Sequence, residues 1–405
     1  MFISMTFENF KCYRSEATLS MEATRVAEHE DSLIVDESGK KYLPVAVLYG
    51  PNGGGKSSTL QAFECLWRYI TLPWMLMRGQ GGRPPKAGCR PYAFDNDSSH
   101  EPTTFRIVFG HGGYVYRYIL SMLREEVLEE YLHRRKPGKG ATATIFERSD
   151  GTVSLGSALK RKSVSTKVDS MMPFLSFLAI NYDLEPADTA FDWFLRCSFL
   201  DYSLPHFERR VYRFDDDERQ ERVVRMLNAM DIDITGIRYK YDSEDDLEAV
   251  YLRHATGSGG ELELQEESNG TQKLLSLVPS LINALEDGSV IVSDELDAKL
   301  HPKLLKYIVR LFTSRETNPK GAQLIYTSHD MSTLNSAMFR RDEIWFAAKG
   351  SSGSSTMYSL ADIVDAEGHR IRPQNAYDRQ YLAGQYGADP YLRKMMDWGA
   401  HVPVM

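Results

Sequence analysis

Alternating apolar and polar residues mark strands near the start of the chain, and helical spacing follows soon afterwards. The stretches FISMTFENF and ATLSMEA alternate and predict antiparallel strands. The apolar run at 45–49 is typical of a strand that is buried on both faces. A helix is expected to begin near Lys56, because apolar residues recur there at helical spacing. Residues 103–109 and 114–120 alternate around His-Gly-Gly and predict a hairpin.

The last third of the chain returns to strong periodicity. We expect an amphipathic helix, a buried strand, a second helix and two further strands, at 274–285, 290–292, 302–312, 323–327 and 344–346. Strands alternate with helices at both ends of the chain, which predicts one α/β sheet assembled from both ends. Three parts are therefore expected. Residues 1–123 and 266–405 form the two halves of one domain, and 124–265 is an inserted compact α+β lobe with helical parts near 170–200 and 218–230.

Composition excludes several classes of protein. The 405 residues are 42% hydrophobic and 26% charged with a net charge of -8, which is typical of a soluble globular protein and not of a histone-like one. The four cysteines form no C-x-x-C pair, so neither a disulfide framework nor a cysteine-rich zinc site is indicated. No signal pattern and no apolar stretch of about 20 residues is present. We expect a cytoplasmic protein without membrane contact.

The clearest motif is GPNGGGKS at residues 50–57, which matches G-x-x-x-x-G-K-[ST]. Glycines let consecutive backbone N–H groups point into one concavity that suits phosphate oxygens, and the positive end of the following helix adds to the attraction. Lys56 is expected to reach the β- and γ-phosphates of ATP, and the Ser57 hydroxyl to ligate Mg²⁺. The alternative is an ordinary Gly-rich turn between a strand and a helix. The residues expected to cradle the nucleotide are Asn52, Gly53, Gly54, Gly55, Lys56, Ser57 and Ser58.

A second motif, SVIVSDE at residues 289–295, supplies carboxylates at the end of a buried strand. Asp294 is expected to hold Mg²⁺ directly or through water, and Glu295 to polarise the attacking water as general base. A strand followed by Asp-Glu can also be a helix N-cap, but the phosphate-loop motif elsewhere in the chain favours the catalytic interpretation.

The segment ESNGTQK at residues 267–273 precedes the predicted amphipathic helix. Ser268 or Asn269 can cap that helix, but Ser-x-Gly at a helix start is also an anion site. With this motif 26 residues before Asp294, the chain resembles the ATP-binding-cassette ATPases, whose signature is Ser-x-Gly at this place. The resemblance implies an ABC-type P-loop ATPase head. It also implies a head-to-tail dimer, in which Ser268 and Gly270 of one subunit close over the ATP held by the other.

The resemblance continues through LDAKLHP and YTSHD. It places Asp297 at the dimer seam, and it makes His329 similar to the switch histidine that contacts the γ-phosphate. A lone histidine is more often structural, and His301 has no such role in the family.

Two features indicate the branch of the family. Lys56 and Ser268 are 212 residues apart, much farther than in transporter ATPases, and NFKCY near the start is similar to the Asn-Phe-Arg start of the chromosome-maintenance and recombination-repair branch. That similarity implies that Lys11 approaches the nucleotide phosphates.

YAFD at 92–95 and YLAGQYGADP at 381–390 resemble compact bacterial ATPases of abortive-infection and phage-defence type. One departure is that no clear Q-loop glutamine follows the phosphate-loop helix: Gln80 lies in a Gly/Arg-rich stretch, and Asp95 is a candidate for the equivalent place.

We interpret the chain as an Mg²⁺-dependent ATPase whose ATP-bound homodimer, or higher homo-oligomer, is the sensor and scaffold of a bacterial anti-phage system. It would restrain a partner nuclease or toxin, of TOPRIM or HNH type, until a phage component is detected. One alternative is a repair or recombination ATPase that acts directly on DNA, and another is a self-sufficient nuclease with its own TOPRIM domain. Only 76 residues follow His329, which is short for such a domain.

Basic stretches at 133–136 with Lys139, and at 160–162, can contact nucleic acid or a partner. The other interpretation is a solvated surface balanced by neighbouring acids.

Overall fold

The structure, a computed structural model, describes residues 1–77, 89–138, 140–160, 163–202, 216–242, 247–255, 260–350, 353–364, 368–372 and 374–388. The strands of this part of the chain are β1 (Phe2–Glu8), β2 (Ala17–Ser20), β3 (Ile34–Val35), β4 (Lys41–Tyr42), β5 (Val45–Tyr49), β6 (Thr103–His111), β7 (Tyr114–Leu123), β8 (Glu126–Arg135), β9 (Ala143–Ser149), β10 (Thr152–Leu155), β11 (Ser198–Asp201), β12 (Ile234–Tyr241), β13 (Leu247–His254), β14 (Glu261–Glu263), β15 (Val290–Asp294), β16 (Gln323–Thr327), β17 (Ile344–Lys349) and β18 (Ser355–Ser359).

The α-helices of the described residues are α1 (Lys56–Met77), α2 (Ser157–Lys160), α3 (Phe174–Asn181), α4 (Glu185–Leu195), α5 (Asp217–Ala229), α6 (Asn269–Asp287), α7 (Pro302–Thr313) and α8 (Tyr377–Leu382). Short 3-10 turns occur at Glu30–Ser32, Ser98–His100, Leu264–Glu266, Met331–Thr333, Arg341–Glu343 and Leu360–Asp362. None of the described helices is long and apolar enough to cross a membrane.

The sheet that positions the site has the strand order β11-β15-β16-β5-β17-β18. Its first five strands are parallel, and β18 pairs antiparallel with β17. The strands β5, β15 and β16 are buried along their whole length, which explains their continuous apolar runs. Because these strands are parallel, the loops after them all leave from one edge of the sheet, and we call it the carboxyl edge.

A second sheet of seven strands is antiparallel throughout, in the order β10-β9-β8-β7-β6-β1-β2. Its inner face packs with α1, α3 and α4 and with one face of the six-stranded sheet to form the first hydrophobic core. The opposite face of the six-stranded sheet packs with α5, α6, α7 and α8 to form the second core. Side chains of β5 alternate between the two cores, as a strand with period two requires.

A smaller three-stranded sheet, β12-β13-β14, follows α5 and leads directly into the turn before α6. The predicted fold class is therefore confirmed as a mixed α/β fold that has an antiparallel part near its start and a compact α+β unit in the middle of the chain. The expected three-part division stays a prediction. Strands β7 and β8, on either side of position 123/124, pair in one sheet, so β8–β10 continue the N-terminal sheet.

Candidate nucleotide-binding site

The phosphate loop, residues 50–57, connects β5 to α1 at the carboxyl edge. Gly50 has φ of 148°, and a Cβ there would lie 2.1 Å from the carbonyl oxygen of Ala347 in β17. Gly55 has φ of 115°, and a Cβ there would lie 2.7 Å from the Tyr13 hydroxyl. Both the backbone conformation and the space therefore require glycine at these two positions. The loop is held against β17 and Tyr13 in a shape that no larger residue allows.

Lys56 is the first residue of α1 and is 7% exposed. Its Nζ donates hydrogen bonds to the carbonyl oxygens of Gly50 at 2.8 Å and Pro51 at 3.2 Å. Burial lowers the pKa of the Lys56 amine, and three carboxylates oppose that shift, namely those of Asp294, Glu295 and Asp297. The structure thus brings the predicted lysine and the three predicted carboxylates to one place.

The remaining loop residues lie around this amine. Asn52 and Gly53 are exposed, Gly54 is buried, and Ser57 and Ser58 are half-buried at the start of α1. An exposed loop tip above a helix N-terminus is the arrangement in which backbone N–H groups meet a phosphate from solvent.

Asp294 ends β15 and is buried, and Glu295 follows with φ of 51°. Such a left-handed conformation is costly for a residue with a Cβ and is enriched at functional sites. The Thr327 hydroxyl donates to Asp294 Oδ1 and accepts a 2.8 Å hydrogen bond from the Glu295 backbone N–H. Thr327, which sequence reasoning missed, therefore fixes both acidic residues. Its only signal is a hydroxyl at the end of a buried strand.

Asp297 and His329 meet through the backbone. The His329 N–H donates to Asp297 Oδ2 at 2.9 Å, while Asp297 Oδ1 is buried and has no hydrogen-bond partner among the described residues. The His329 side chain is exposed. The loop after β16 is thereby tied to the turn after β15, and the histidine is left free to face a ligand or a second subunit.

The signature segment lies at the start of α6. Ser268 is the N-cap, since its Oγ accepts from the Thr271 N–H at 3.1 Å, so the capping interpretation is confirmed as one of its roles. Gly270 lies against Lys299, whose carbonyl oxygen would be 3.3 Å from an added Cβ. No hydrogen bond in the described ranges joins Ser268 or Gly270 to the phosphate loop of the same chain.

A second residue that sequence reasoning missed is Lys273, which is fully buried in α6. Its Nζ donates to three carbonyl oxygens of the turn after β15, those of Glu295 at 3.0 Å, Leu296 at 2.7 Å and Ala298 at 2.7 Å. A lysine in an amphipathic helix is ordinarily assigned to the solvent face, so the pattern alone did not reveal it. The signature helix and the catalytic turn consequently form one connected unit.

Lys11 lies in a left-handed turn with φ of 51°, and its Nζ donates to Gln61 Oε1 at 2.6 Å. Gln61 lines a small cavity together with Asp294 and Asp201. The structure therefore joins Lys11 to a residue that lines the same cavity as Asp294, and the role of Lys11 toward the nucleotide stays a prediction. Burial lowers the pKa of the Lys11 amine.

The Q-loop candidates have different outcomes. Gln80 lies outside the described residues. Asp95 pairs with Arg14 at 3.2 Å and accepts from the Ser98 N–H at 2.7 Å, in a segment that precedes β6. Asp201, which was not predicted, ends β11 directly opposite Asp294 in the parallel register. Asp201 and Asp294 line the same small cavity. The strand that carries Asp201 lies in a region that was expected to be helical.

The residues present fit the expected Mg²⁺ ion. A serine hydroxyl and a carboxylate are the hard oxygen donors that Mg²⁺ prefers, and it commonly takes its other ligands from phosphates and water. Ser57 and Asp294 would supply those two protein oxygens. The described residues hold no group of three or more His, Cys, Asp or Glu side chains poised to bind a metal.

Two residues of the basic stretch at 133–136 are paired with acids. His133 lies 3.0 Å from Glu147, and Arg134 lies 2.7 Å from Glu185 while its guanidinium covers the Tyr114 ring. These contacts favour the balanced-surface interpretation. Lys139, Arg161 and Lys162 lie outside the described residues.

The phosphate loop joins a buried parallel strand to a helix, and an acidic pair and a histidine lie at or just after the ends of two neighbouring strands. These features together define a P-loop ATPase domain of ABC-like type. Comparison with protein families matched residues 45–335, more than two thirds of the chain, to the family described as "AAA domain, putative AbiEii toxin, Type IV TA system". The chain belongs to this family, which is related to abortive-infection systems.

Comparison with curated proteins found no match. Among solved structures, the SMC head domain from Thermotoga maritima is similar at 13% identity over 88% of this chain and 98% of that chain, with a TM-score of 0.41. An SMC head bound to the C-terminal winged-helix domain of ScpA is similar at 13% identity over 88% and 97%, with a TM-score of 0.43. These likenesses are loose, and the assignment rests on the family match and on the geometry of the site.

Proposed function

We propose that the chain binds ATP with Mg²⁺ at the phosphate loop and hydrolyses it in a head-to-tail homodimer or higher homo-oligomer. The observation that carries this proposal is the convergence of Lys56, Asp294 and Glu295 at one edge of the sheet. Bound Mg²⁺ would offset phosphate charge as it does in other phosphoryl-transfer enzymes.

The residues of the chain have separate tasks in this proposal. Loop N–H groups and Lys56 bind the triphosphate, and Asp294 with Ser57 orients the metal–phosphate group. Glu295, aimed by its backbone bond to Thr327, holds the attacking water and accepts its proton. Ser268 and Gly270 of a second subunit would cover the γ-phosphate, and His329 and Asp297 would lie at the seam.

The exposed position of the signature supports the dimer. Ser268 and Asn269 are exposed at the start of a 19-residue helix whose N–H groups attract anions. A γ-phosphate gripped by two subunits stabilises the closed dimer only, so ATP binding shifts the population toward closure. Hydrolysis removes that grip and reopens the dimer.

We further propose that this cycle serves an anti-phage defence system of abortive-infection or toxin–antitoxin-like type in the bacterial cytoplasm. The closed dimer would act as sensor and scaffold for a partner nuclease or toxin, and a phage protein would be the trigger. The family description, with its reference to a toxin and a Type IV TA system, supports this context. Direct action on DNA has less support, because His133 and Arg134 are paired with acids.

The catalytic part of the proposal is tested by two substitutions. Glu295→Gln keeps ATP binding and lowers turnover by at least about 100-fold, because general-base removal costs that much. Lys56→Ala lowers ATP affinity itself. Titration with a fluorescent ATP analogue and a phosphate-release assay measure the two effects. Normal turnover by Glu295→Gln would show that the base is another residue.

The defence role needs a separate test. Cells that express the chain together with its adjacent gene are challenged with phage, and Lys56→Ala is expected to abolish protection. ATP turnover stimulated by duplex DNA in the absence of any partner would instead favour the repair alternative.

A further inference from the structure

The buried side of the phosphate loop is in contact with a tyrosine to which the proposed catalytic cycle gives no task. Tyr13 is completely buried, and its hydroxyl donates to the Gly55 carbonyl oxygen at 3.3 Å. The same hydroxyl lies 2.9 Å from Thr59 Oγ1 in the first turn of α1. The Tyr13 ring packs edge-on against Phe7, with 5.0 Å between the ring centroids. One fixed side chain therefore contacts both the end of the loop and the start of the helix.

The hydrogen bonds at Gly55 determine which way the last peptide bond of the loop faces. Besides Tyr13, the Gly55 carbonyl oxygen accepts from the Thr59 backbone N–H at 2.9 Å and from the Thr59 hydroxyl at 3.2 Å. In a planar trans peptide the N–H points opposite to the C=O, so the Lys56 N–H is aimed away from Tyr13. A partly negative oxygen is thereby kept back, and a donor is turned toward the side where phosphate is expected.

Gly55 has no side chain of its own to hold this orientation. Its φ of 115° lies in a region that glycine enters at little cost, and glycine loses more conformational freedom than any other residue when it is ordered. An added Cβ there would lie 2.7 Å from the Tyr13 hydroxyl oxygen and 3.0 Å from Ser355 Oγ. The tyrosine therefore occupies the space beside the glycine. A loop that is ordered in advance binds more tightly, because less entropy is lost when the ligand arrives.

The turn that carries Tyr13 is anchored by contacts of its own. Phe10 and Tyr13 exchange two backbone hydrogen bonds of 2.8 Å each. Asn9, which is 4% exposed, donates its side-chain amide to the carbonyl oxygens of Ser98 at 2.8 Å and Glu101 at 2.9 Å. Because the turn is held in this way, Tyr13 is a rigid support for the loop.

We propose that Tyr13 is a positioning residue of the nucleotide site, whose hydroxyl holds the Gly55 peptide in the orientation that receives the triphosphate. This inference rests on the proposed ATP binding and adds a residue that strengthens binding without touching the nucleotide. The loop contacts the triphosphate in the ground state and in the transition state alike. The contribution of Tyr13 therefore falls on KM and leaves kcat unchanged.

The test removes the hydroxyl and keeps the ring. In phosphate-release assays on the full chain with Mg²⁺, Tyr13→Phe is expected to raise the KM for ATP about fivefold at an unchanged kcat, the effect of one neutral hydrogen bond. Calorimetry with inorganic tripolyphosphate, which probes the loop without a base, is expected to show the same loss of affinity.

The matched control is Tyr118→Phe. Tyr118 is also completely buried, and its hydroxyl donates to Glu130 at 2.8 Å in the seven-stranded sheet. This variant is expected to lower the free energy of unfolding and to leave the KM for ATP and the affinity for tripolyphosphate unchanged. The comparison separates positioning of the loop from a general loss of stability.

An unchanged KM in Tyr13→Phe, or an equal rise in Tyr118→Phe, would overturn the proposal. A fall in kcat at an unchanged KM would overturn it too, because the hydroxyl would then act on the chemical step. If Tyr13→Phe does not fold, Thr59→Val takes its place, with the same expected and contrary results, since it removes the hydroxyl that accompanies Tyr13 at Gly55. If the wild-type chain bound neither ATP nor tripolyphosphate, the proposed ATP binding itself would have failed.

Discussion

At the scale of single residues, the buried carboxyl group of Glu343 makes the stability of the protein depend on pH, at a position close to the site. It ends a 3-10 turn just before β17, the strand that contacts the phosphate loop, and it is 1% exposed. Its Oε2 accepts from the Arg340 N–H at 2.8 Å, but its Oε1 has no partner among the described residues. Burial, which is the largest influence, raises the pKa of Glu343 to about 8. The folded protein therefore keeps a proton that the unfolded chain releases above about pH 4.5.

The sign of the effect on stability follows from this difference. The contribution of Glu343 is fully present below its unfolded pKa, and it declines by about 1.4 kcal/mol per pH unit until the pH passes the folded pKa near 8. The Gln side chain of Glu343→Gln cannot ionise. The free energy of unfolding of this variant, relative to that of the wild type, should therefore rise by about 1.4 kcal/mol per pH unit between pH 5 and 8. Urea denaturation across that range measures the difference, with the exposed Glu316→Gln as control. A difference that stays flat with pH would contradict a buried, protonated Glu343.

At the scale of elements, the signature helix α6 is attached to the catalytic turn by Lys273. The fully buried amine donates to the carbonyls of Glu295, Leu296 and Ala298, and it also covers the Tyr202 ring at 4.2 Å. If a partner subunit moved this helix, the hydrogen bonds of Lys273 would therefore move the turn that carries Glu295. In the proposed dimer, this connection would let closure act on the turn that carries Glu295.

Lys273→Met keeps the length of the side chain but leaves three carbonyl oxygens without their donor. We expect the free energy of unfolding to fall by about 2–4 kcal/mol and ATP turnover to fall with it, because the catalytic turn loses its anchor. Chemical denaturation and phosphate release measure the two effects, and Lys303→Met, at an exposed position of α7, is the control. Wild-type stability together with wild-type turnover would show that the connection is unimportant.

Elements with strong periodicity were predictable, and those without it were not. The buried runs of β5, β15 and β16 and the helices α1, α6 and α7 follow directly from the apolar pattern, and they carry most of the site. The apolar residues of β8 occur as adjacent pairs and not in alternation, and β11 is a four-residue strand inside a region expected to be helical. Asp201 was missed for that reason.

Contacts that join distant parts of the chain were equally hidden. Thr327 and Lys273 act on Glu295 through its backbone, across 32 and 22 positions in the sequence. Sequence spacing gives no signal for such bonds, because they depend on which strands become neighbours in the sheet. The motif residues were predictable, whereas the residues that hold them in place required the structure.

At the scale of the whole molecule, we propose that one chain presents two complementary half-sites. The phosphate loop, with Lys56, lies at the carboxyl edge of the six-stranded sheet, and the exposed Ser268 stands at the start of α6 without a hydrogen bond to that loop among the described residues. The proposed head-to-tail dimer would pair each loop with the signature of the other subunit. This two-fold arrangement would form two identical composite sites.

The measurement that tests this claim most directly is ATP turnover in a mixture of two inactive variants. Lys56→Ala disables the phosphate loop and keeps the signature, while Ser268→Arg blocks the signature and keeps the loop. Each variant alone should be inactive. Their equal mixture should recover roughly a quarter of wild-type turnover, because half of the dimers then hold one intact site of two. The controls are that both variants are folded and that Ser268→Arg still binds ATP. With these controls met, a mixture that stays inactive would contradict the shared site. Normal turnover by Ser268→Arg alone would contradict it as well.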